Sequence, residues 1–165
     1  MKLFSVIVVG VSFAAISSAD LKSEINSMNS KIHVAMKKGD MKSLHSIMKS
    51  GVTKDFKYIE DGKTMTFDQM FEQMKGSMAM MKLTNATTKV VSVKEKGTMG
   101  SSVEKHVMAG TMTGPDKKTH KMSFSGMSTN TYTKVGKAWM LKVMSWGKSE
   151  MMMDGKPMDM SKMGG

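Results

Sequence analysis

Residues 58–74, YIEDGKTMTFDQMFEQM, place a strand, a turn and a helix in immediate succession. Phe56 and Tyr58 lie in a short β-like stretch, and Asp61-Gly62 is a dipeptide that favours a tight turn. Thr66 has the residue type of a helix N-cap. Beyond it, hydrophobic residues recur at intervals of three and four, as on one face of an amphipathic helix: Phe67, Met70, Phe71, Met74, Met78 and Met81. The stretch therefore predicts a short strand followed by a helix.

The flanking sequence predicts two helices before this unit and four strands after it. Helical spacing runs from Leu21 to Met36, and Asp40 is placed to cap a second helix over Met41–Met48. After Leu83 the pattern changes to period two, first around Val91 and Val93. The remaining strands are predicted at about 99–112, 119–133 and 138–148, with turns between them. Helices segregated from a run of hairpin-connected strands indicate an α+β fold.

The element order and two motifs resemble the nuclear transport factor 2-like (NTF2-like) superfamily, especially its SnoaL-like and DUF4440-like bacterial members. The motifs are residues 58–74 and residues 130–146, NTYTKVGKAWMLKVMSW, where a strand ends in a turn and Trp139 follows in the last strand. The resemblance covers about residues 21–147. It implies a cone-shaped fold in which a strongly curved antiparallel sheet wraps about three N-terminal helices. It also implies a pocket open at one end and, commonly, a homodimer.

The first 19 residues have the pattern of a secretory signal peptide. Lys2 precedes an apolar run from Leu3 to Ile16, and small residues follow up to Ala19. We expect cleavage between Ala19 and Asp20 and a secreted or periplasmic protein. The apolar run is too short for a transmembrane anchor. The predicted organisation is a signal peptide at 1–19, one NTF2-like domain at 20–148 and a flexible methionine-rich tail at 149–165.

The composition argues against several kinds of partner and chemistry. The chain contains no cysteine, which excludes disulfides and a thiolate nucleophile. All 25 basic residues are lysine and are scattered along the sequence. Because arginine dominates the reading of phosphates and base edges, we expect no specific nucleic-acid partner. A small-molecule ligand is the partner that the NTF2-like resemblance favours.

Polar residues on otherwise apolar strand faces are the candidates for chemistry. If a turn at Gly114-Pro115 pairs Met112 with His120, two neighbouring strands present His106 and Tyr132 on one surface. The weak catalytic candidates are His106, His120, Tyr132 and Asp55; the alternative is that the first three lie at strand ends or on the outer face. Glu104 is also strand-associated but has no evident partner in the sequence. The predicted pocket-lining residues are Tyr58, Met108, Met112, Met122, Phe124 and Trp139.

The C-terminal stretch, residues 151–165, is unusually rich in methionine. Thioether sulfur is a soft ligand that suits Cu(I), so these side chains are candidates for a copper or silver site: Met151, Met152, Met153, Met158, Met160 and Met163. The alternative is that the segment continues the last strand or packs as apolar side chains, since the chain has 24 methionines in all. Apart from this possible Cu(I) ion, no cofactor is expected.

The leading functional prediction is a non-catalytic binding or accessory domain with a pocket for a small apolar or amphipathic ligand. It rests on the lack of a recognisable acid and base pair in the strands that should line the cone. The second prediction is a SnoaL-like lyase or isomerase acting in that pocket, which a buried carboxylate hydrogen-bonded to histidine would favour. The third is an envelope Cu(I)- or Ag(I)-binding protein that uses the methionine-rich tail.

Overall fold

A computed structural model describes residues 20–114 and 117–158, which form three helices and seven strands. The helices are α1 (Leu21–Lys38), α2 (Met41–Ser50) and α3 (Phe67–Ala79). The strands are β1 (Val52–Glu60), β2 (Lys63–Met65), β3 (Met81–Lys96), β4 (Met99–Thr113), β5 (Thr119–Val135), β6 (Ala138–Met153) and β7 (Lys156–Met158). The predicted α+β class is confirmed. The predicted helices and strands occur in the expected order, and the structure adds two short strands, β2 and β7, that were not predicted.

All seven strands belong to one curved, unclosed sheet with the order β2-β1-β6-β5-β4-β3, and β7 pairs with β6. The long strands β3 to β6 are joined by successive antiparallel hairpins, as predicted. The short strand β1 differs, because it pairs with β6 in parallel and makes the sheet mixed. Parallel strands need a long crossover connection, and β2, α3 and three long strands separate β1 from β6 in the chain.

Local capping explains where the helices begin. The Asp40 carboxylate accepts a hydrogen bond from the Ser43 N–H at the start of α2. Thr66 forms a capping box with Gln69 at the start of α3, so two otherwise unpaired N–H groups are satisfied. The hydrophobic stripe predicted for α3 is too long by one residue, Met81. The helix α3 ends at Ala79, and Met81 is the first residue of β3.

The predicted register between β4 and β5 is confirmed, since Met112 lies opposite His120. This register places the even-numbered residues of β4 and of β5 on one face of the sheet, which we call the inner face. Helix α1 covers part of it: Leu21 and Ile25 are buried in a cluster with Tyr132 and Trp139. A second cluster, which includes Leu44, Phe56 and Phe71, packs α2, α3 and β1 together. The inner face therefore forms the core with the helices.

The C-terminal end of the described chain differs from the predicted tail at 149–165. Strand β6 continues through Met153, and β7 returns as a hairpin beside it. The hydrophobic side chain of Met151 is buried, which explains why the strand continues past Ser149. The signal peptide predicted at 1–19 and residues 159–165 lie outside the described residues. Within 20–114 and 117–158, no helix has the length and apolarity needed to cross a membrane.

A close backbone approach fixes Gly110 as glycine. Strand β3 shifts register between Leu83 and Asn85, and this irregularity brings its backbone against Gly110 of β4. A Cβ atom on Gly110 would overlap the Lys82 carbonyl and lie 2.9 Å from the Leu83 Cα. Both obstacles are backbone atoms, so a side-chain rotation cannot relieve the clash.

Replacing Gly110 by alanine should lower the free energy of unfolding by about 1–3 kcal/mol, because the added methyl group overpacks this site. The matched control is Gly76→Ala in α3, where the space around the new Cβ is open. That substitution should raise the free energy of unfolding by about 0.5–1 kcal/mol. Urea unfolding of both variants measures the difference. Equal midpoints for Gly110→Ala and the wild type would contradict the close approach.

Candidate functional site

A buried carboxylate occupies the middle of the inner face. Glu104 of β4 is 2% exposed, and its Oε1 accepts hydrogen bonds from the Ser102 hydroxyl (2.6 Å), the Asn130 amide (2.7 Å) and the Tyr132 hydroxyl (2.9 Å). Its Oε2 accepts a bond of 3.0 Å from the Asn29 amide of α1. Alternation along β4 and β5 turns the three strand donors to the same face as Glu104. These five residues form what we call the Glu104 network.

A chain of hydrogen bonds runs beside the Glu104 network. His106 lies directly opposite Thr88 of β3, and its Nδ1 is 3.0 Å from the Thr88 hydroxyl. The same hydroxyl is 3.0 Å from Nε2 of His33 on α1. The other ring nitrogen of His106, Nε2, is 2.8 Å from the Ser128 hydroxyl. Both ring nitrogens of His106 are therefore bonded to protein groups.

The aromatic ring of Trp146 packs against this chain of hydrogen bonds. The Trp146 ring lies 4.8 Å from the His106 ring between centroids, and Phe124 contacts Trp146 edge-on. Gly126, directly opposite His106, makes room for this arrangement, because a Cβ atom there would lie 2.9 Å from the Trp146 ring. The imidazole is consequently enclosed by an indole on one side and by hydroxyl partners at its nitrogens.

Burial controls the protonation of these groups. It is the main cause that lowers the pKa of His106; the Glu104 charge opposes this effect and His33 adds to it. Burial, followed by the charge of Lys37, also lowers the pKa of His33. For the Tyr132 phenol, burial and then the Glu104 charge raise the pKa well above its ordinary value. Both imidazoles are therefore held neutral, and the phenol keeps its proton to donate to Glu104.

The end of the inner face beyond His106 is lined mainly by methionine. Met78, Leu83, Met112, Met122 and Met151 are buried there, and seven more methionines pack against them: Met36, Met41, Met74, Met81, Met108, Met153 and Met158. They come from all three helices and from β3 to β7. We call this group the methionine cluster. It includes three of the residues predicted to line a pocket, namely Met108, Met112 and Met122.

The structure brings together two of the four weak catalytic candidates. His106 and Tyr132 both lie on the inner face beside Glu104. His120 lies instead at the start of β5, where its Nδ1 is 2.7 Å from the Asp154 carboxylate, which corresponds to the strand-end alternative. Asp55 is exposed and pairs with Lys142 at 3.4 Å. His120 and Asp55 therefore do not join a common site with His106.

The other predicted pocket residues occupy separate parts of the core. Phe124 contacts Trp146, and Trp139 packs with Leu21 at the opposite end from the methionine cluster. Tyr58 of β1 packs against the α2 and α3 cluster and donates a hydrogen bond to Glu60. Among the predicted metal ligands, Met151, Met153 and Met158 belong to the methionine cluster. Met152 lies between the cluster members Met151 and Met153 in β6, and Met160 and Met163 lie outside the described residues.

Sequence reasoning missed the partners of Glu104. The signal was available in part, because the register that pairs Met112 with His120 also places Ser102 opposite Asn130, on the same face as Glu104. The fourth donor, Asn29, lies 75 positions away in the chain and carries no such signal. Among the described residues, no group of three or more His, Asp or Glu side chains is placed to hold a metal ion.

Removing the Glu104 carboxylate should destabilise the fold strongly. In Glu104→Leu the four donors lose their acceptor, and each buried donor left unsatisfied costs about 1–3 kcal/mol. Glu104→Gln keeps acceptor capacity without the charge and should cost less. The control Glu72→Leu removes an exposed carboxylate and should change the free energy of unfolding by less than about 0.5 kcal/mol. Urea unfolding gives the three values, and a near-neutral Glu104→Leu would contradict the structural role.

Stability should fall as the pH drops below about 6.5. The folded state holds His106 and His33 with lowered pKa values, whereas the unfolded chain takes up protons near the ordinary value of 6.5. Protonation therefore favours the unfolded state, and this loss is absent at higher pH. Urea midpoints between about pH 7.5 and about pH 5 measure the slope. His106→Gln should flatten it, and an unchanged slope would show that His106 is not held neutral.

Comparisons with known proteins identify the fold. No protein-family model matches the sequence, and no curated protein matches it. Solved structures do match. A conserved protein from Planctomyces limnophilus aligns with a TM-score of 0.60 at 11% identity, over 75% of this chain and 92% of that one. An NTF2-like superfamily protein from Salmonella enterica aligns with a TM-score of 0.55 at 14% identity, over 87% and 96% of the two chains.

A third structure comes from Shewanella frigidimarina and is proposed to be a ketosteroid isomerase. It aligns with a TM-score of 0.51 at 17% identity, over 73% of this chain and 92% of that one. Identities this low establish a shared fold and leave activity open. From its element order, its curved sheet and these alignments, the chain has the fold of the nuclear transport factor 2-like superfamily.

Proposed function

We propose that the protein is a non-catalytic binding domain that takes a small apolar or amphipathic molecule at the methionine-lined end of its cone. The observation that carries this proposal is that the two titratable groups in the middle of the inner face, Glu104 and His106, already bind protein groups. A general acid or base must reach a proton of the substrate directly or through one water. In this protein the Glu104 carboxylate and the His106 ring nitrogens already form hydrogen bonds with other protein groups.

The two titratable groups illustrate this engagement. Glu104 is 2% exposed and accepts four hydrogen bonds from protein donors. Both nitrogens of His106 are bonded to hydroxyl groups, and the Trp146 ring packs against the imidazole at a tilt of 48°. Both oxygens of Glu104 and both ring nitrogens of His106 are therefore held by protein groups. This arrangement supports a structural role for the polar middle of the cone and leaves the methionine cluster for binding.

The methionine cluster has the properties of an adaptable apolar site. Methionine is unbranched and has three rotatable side-chain bonds, so it can repack around molecules of different shape. Seven of the cluster's methionines are only partly buried, which gives a ligand access from this end. A ligand would enter by displacing flexible side chains and would need no preformed cavity.

A lyase or isomerase is the second candidate function. The buried pair of Glu104 and Tyr132 favours it, because a carboxylate beside a phenol inside a cone is suited to proton transfer. The structure from Shewanella frigidimarina that is proposed to be a ketosteroid isomerase has the same fold. Four donors on Glu104 oppose this function, since a base held in this way must break hydrogen bonds before it acts. The hydrogen bonds of His106 also go to Thr88 and Ser128 instead of Glu104.

Export and dimer formation belong to the same proposal. The pattern of residues 1–19 supports export, and the described fold begins directly after it, with Asp20 as the N-cap of α1. The mass of the protein from an exporting host would locate the cleavage between Ala19 and Asp20. Sedimentation of the purified protein would report whether it is the homodimer that the NTF2-like resemblance implies.

Placing a charge in the methionine cluster should weaken the binding of an apolar ligand. Met81 and Met80 are adjacent in sequence, but Met81 packs in the cluster whereas Met80 is 48% exposed. We expect Met81→Lys to weaken binding of the neutral probe N-phenyl-1-naphthylamine by at least about tenfold, as a desolvated lysine disfavours an apolar neighbour. Met80→Lys adds the same charge outside the cluster and should bind the probe like the wild type.

Fluorescence titration measures both affinities, and thermal unfolding checks that both variants are folded. Failure of the wild type to bind the probe or natural apolar molecules extracted from the host envelope would contradict the proposed function. Equal weakening by the two lysines would assign the effect to net charge and would also contradict the proposed site.

A further inference from the structure

Methionine is concentrated at one end of the core. Eleven of the twelve residues in the methionine cluster are methionine, and Leu83 is the exception. At the opposite end, the described cluster around Leu21 and Trp139 has seven hydrophobic members and no methionine among them. The cluster that packs α2, α3 and β1 also contains methionine, in seven of its seventeen members. Methionine is therefore unevenly distributed over the core, and its share is highest in the methionine cluster.

Three pairs of methionines face each other across neighbouring strands in this cluster. Met81 of β3 lies opposite Met112 of β4, Met122 of β5 lies opposite Met153 of β6, and Met151 of β6 lies opposite Met158 of β7. In each pair one side chain is buried and the other is partly buried. Opposed residues on one sheet face have Cβ atoms about 4.5–5.5 Å apart.

The three pairs are also neighbours of one another. Met122 lies opposite Gly110, which is two positions from Met112 on the same face of β4. Gly110 contributes no side chain, so Met112 and Met122 are diagonal neighbours on adjacent strands, a separation of about 7–8 Å. Met151 and Met153 are two positions apart in β6 and therefore share a face. From α3, Met78 packs over the group.

We propose that the paired methionines of β3 to β7 form a binding site for a soft monovalent cation, Cu(I) or Ag(I). Thioether sulfur is a soft ligand that selects Cu(I) over hard cations, and it cannot be lost to protonation at ordinary pH. The flexible side chains allow the two sulfurs of a pair to meet one ion between them. Neighbouring pairs supply further sulfurs. No cysteine in the sequence competes for the ion.

This site differs from a disordered metal-binding tail. Its ligands are held by strand register, and three of them, Met81, Met112 and Met122, precede residue 149 in the chain. Met160 and Met163 are not required. The inference goes beyond the proposed function and does not depend on an apolar ligand, because it uses the sulfur atoms of the cluster and not its apolar surface.

Replacing sulfur without losing apolar surface tests the site. The central variant is Met122→Leu with Met153→Leu, which removes one facing pair and costs little packing because leucine and methionine have similar volumes. Calorimetric titration with Ag(I) in chloride-free buffer, and with Cu(I) against bicinchoninate without oxygen, measures the affinity. We expect the wild type to bind tightly and the variant to bind at least about tenfold more weakly, as loss of even an outer-shell partner costs that much.

Two matched double variants serve as controls. Met80→Leu with Met99→Leu removes two sulfurs from side chains that are 48% and 52% exposed and lie outside the cluster. Met160→Leu with Met163→Leu removes two sulfurs from the C-terminal end. Both should bind Ag(I) like the wild type. Absence of Ag(I) binding by the wild type, or equal weakening in all three variants, would overturn the proposal, as would loss confined to the C-terminal variant.

A measurement on the wild type alone guards against misfolded variants. With carbon-13 in the methionine methyl groups, Ag(I) should shift the NMR signals of Met122 and Met153 and leave those of Met80 and Met99 in place. The reverse pattern would overturn the proposal.

Binding of N-phenyl-1-naphthylamine to Met122→Leu with Met153→Leu separates the two functions. Retained probe binding with lost Ag(I) binding supports a sulfur site, whereas lost probe binding with retained Ag(I) binding would overturn it. A wild type that binds Ag(I) but not the probe would contradict only the apolar ligand.

Discussion

The carboxylate of Glu104 is the interaction on which the inner face depends. A buried charge is costly unless hydrogen-bond donors surround it, and this protein supplies donors from three elements: Asn29 of α1, Ser102 of β4 and the β5 residues Asn130 and Tyr132. The bond from Asn29 ties α1 to the curved sheet, and the bonds from Asn130 and Tyr132 join β4 to β5. Helix α1 then seals the apolar end of the core, where Leu21 is fully buried.

The inner face has three zones with different physical properties. Aromatic and aliphatic side chains fill the end near Leu21, hydrogen-bonded polar groups occupy the middle, and methionines fill the far end. A buried hydrogen-bonded network restricts the arrangement of its members, whereas methionine side chains tolerate many arrangements. The rigid polar middle of the inner face therefore lies beside an adaptable surface at the methionine end.

Alternation and turn position predicted a large part of the candidate site. The turn near Gly114 gave the correct pairing of Met112 with His120, and this pairing brings His106 and Tyr132 to one face. Prediction stopped there for two reasons. The partner of His120 is Asp154, in a hairpin that was expected to be a flexible tail. The donor Asn29 reaches Glu104 only because α1 packs across the sheet, and no local pattern encodes that contact.

The sequence by itself determined the elements of this protein. Helical spacing, the caps Asp40 and Thr66 and period-two strands are local features, and local features fix where helices and strands form. Only the tertiary structure decided which of them meet. It placed β1 parallel to β6 and brought four hydrogen-bond donors to Glu104. It also brought methionines from eight elements together at one end of the inner face. Such contacts depend on how distant segments pack together, and each residue type alone is compatible with many partners.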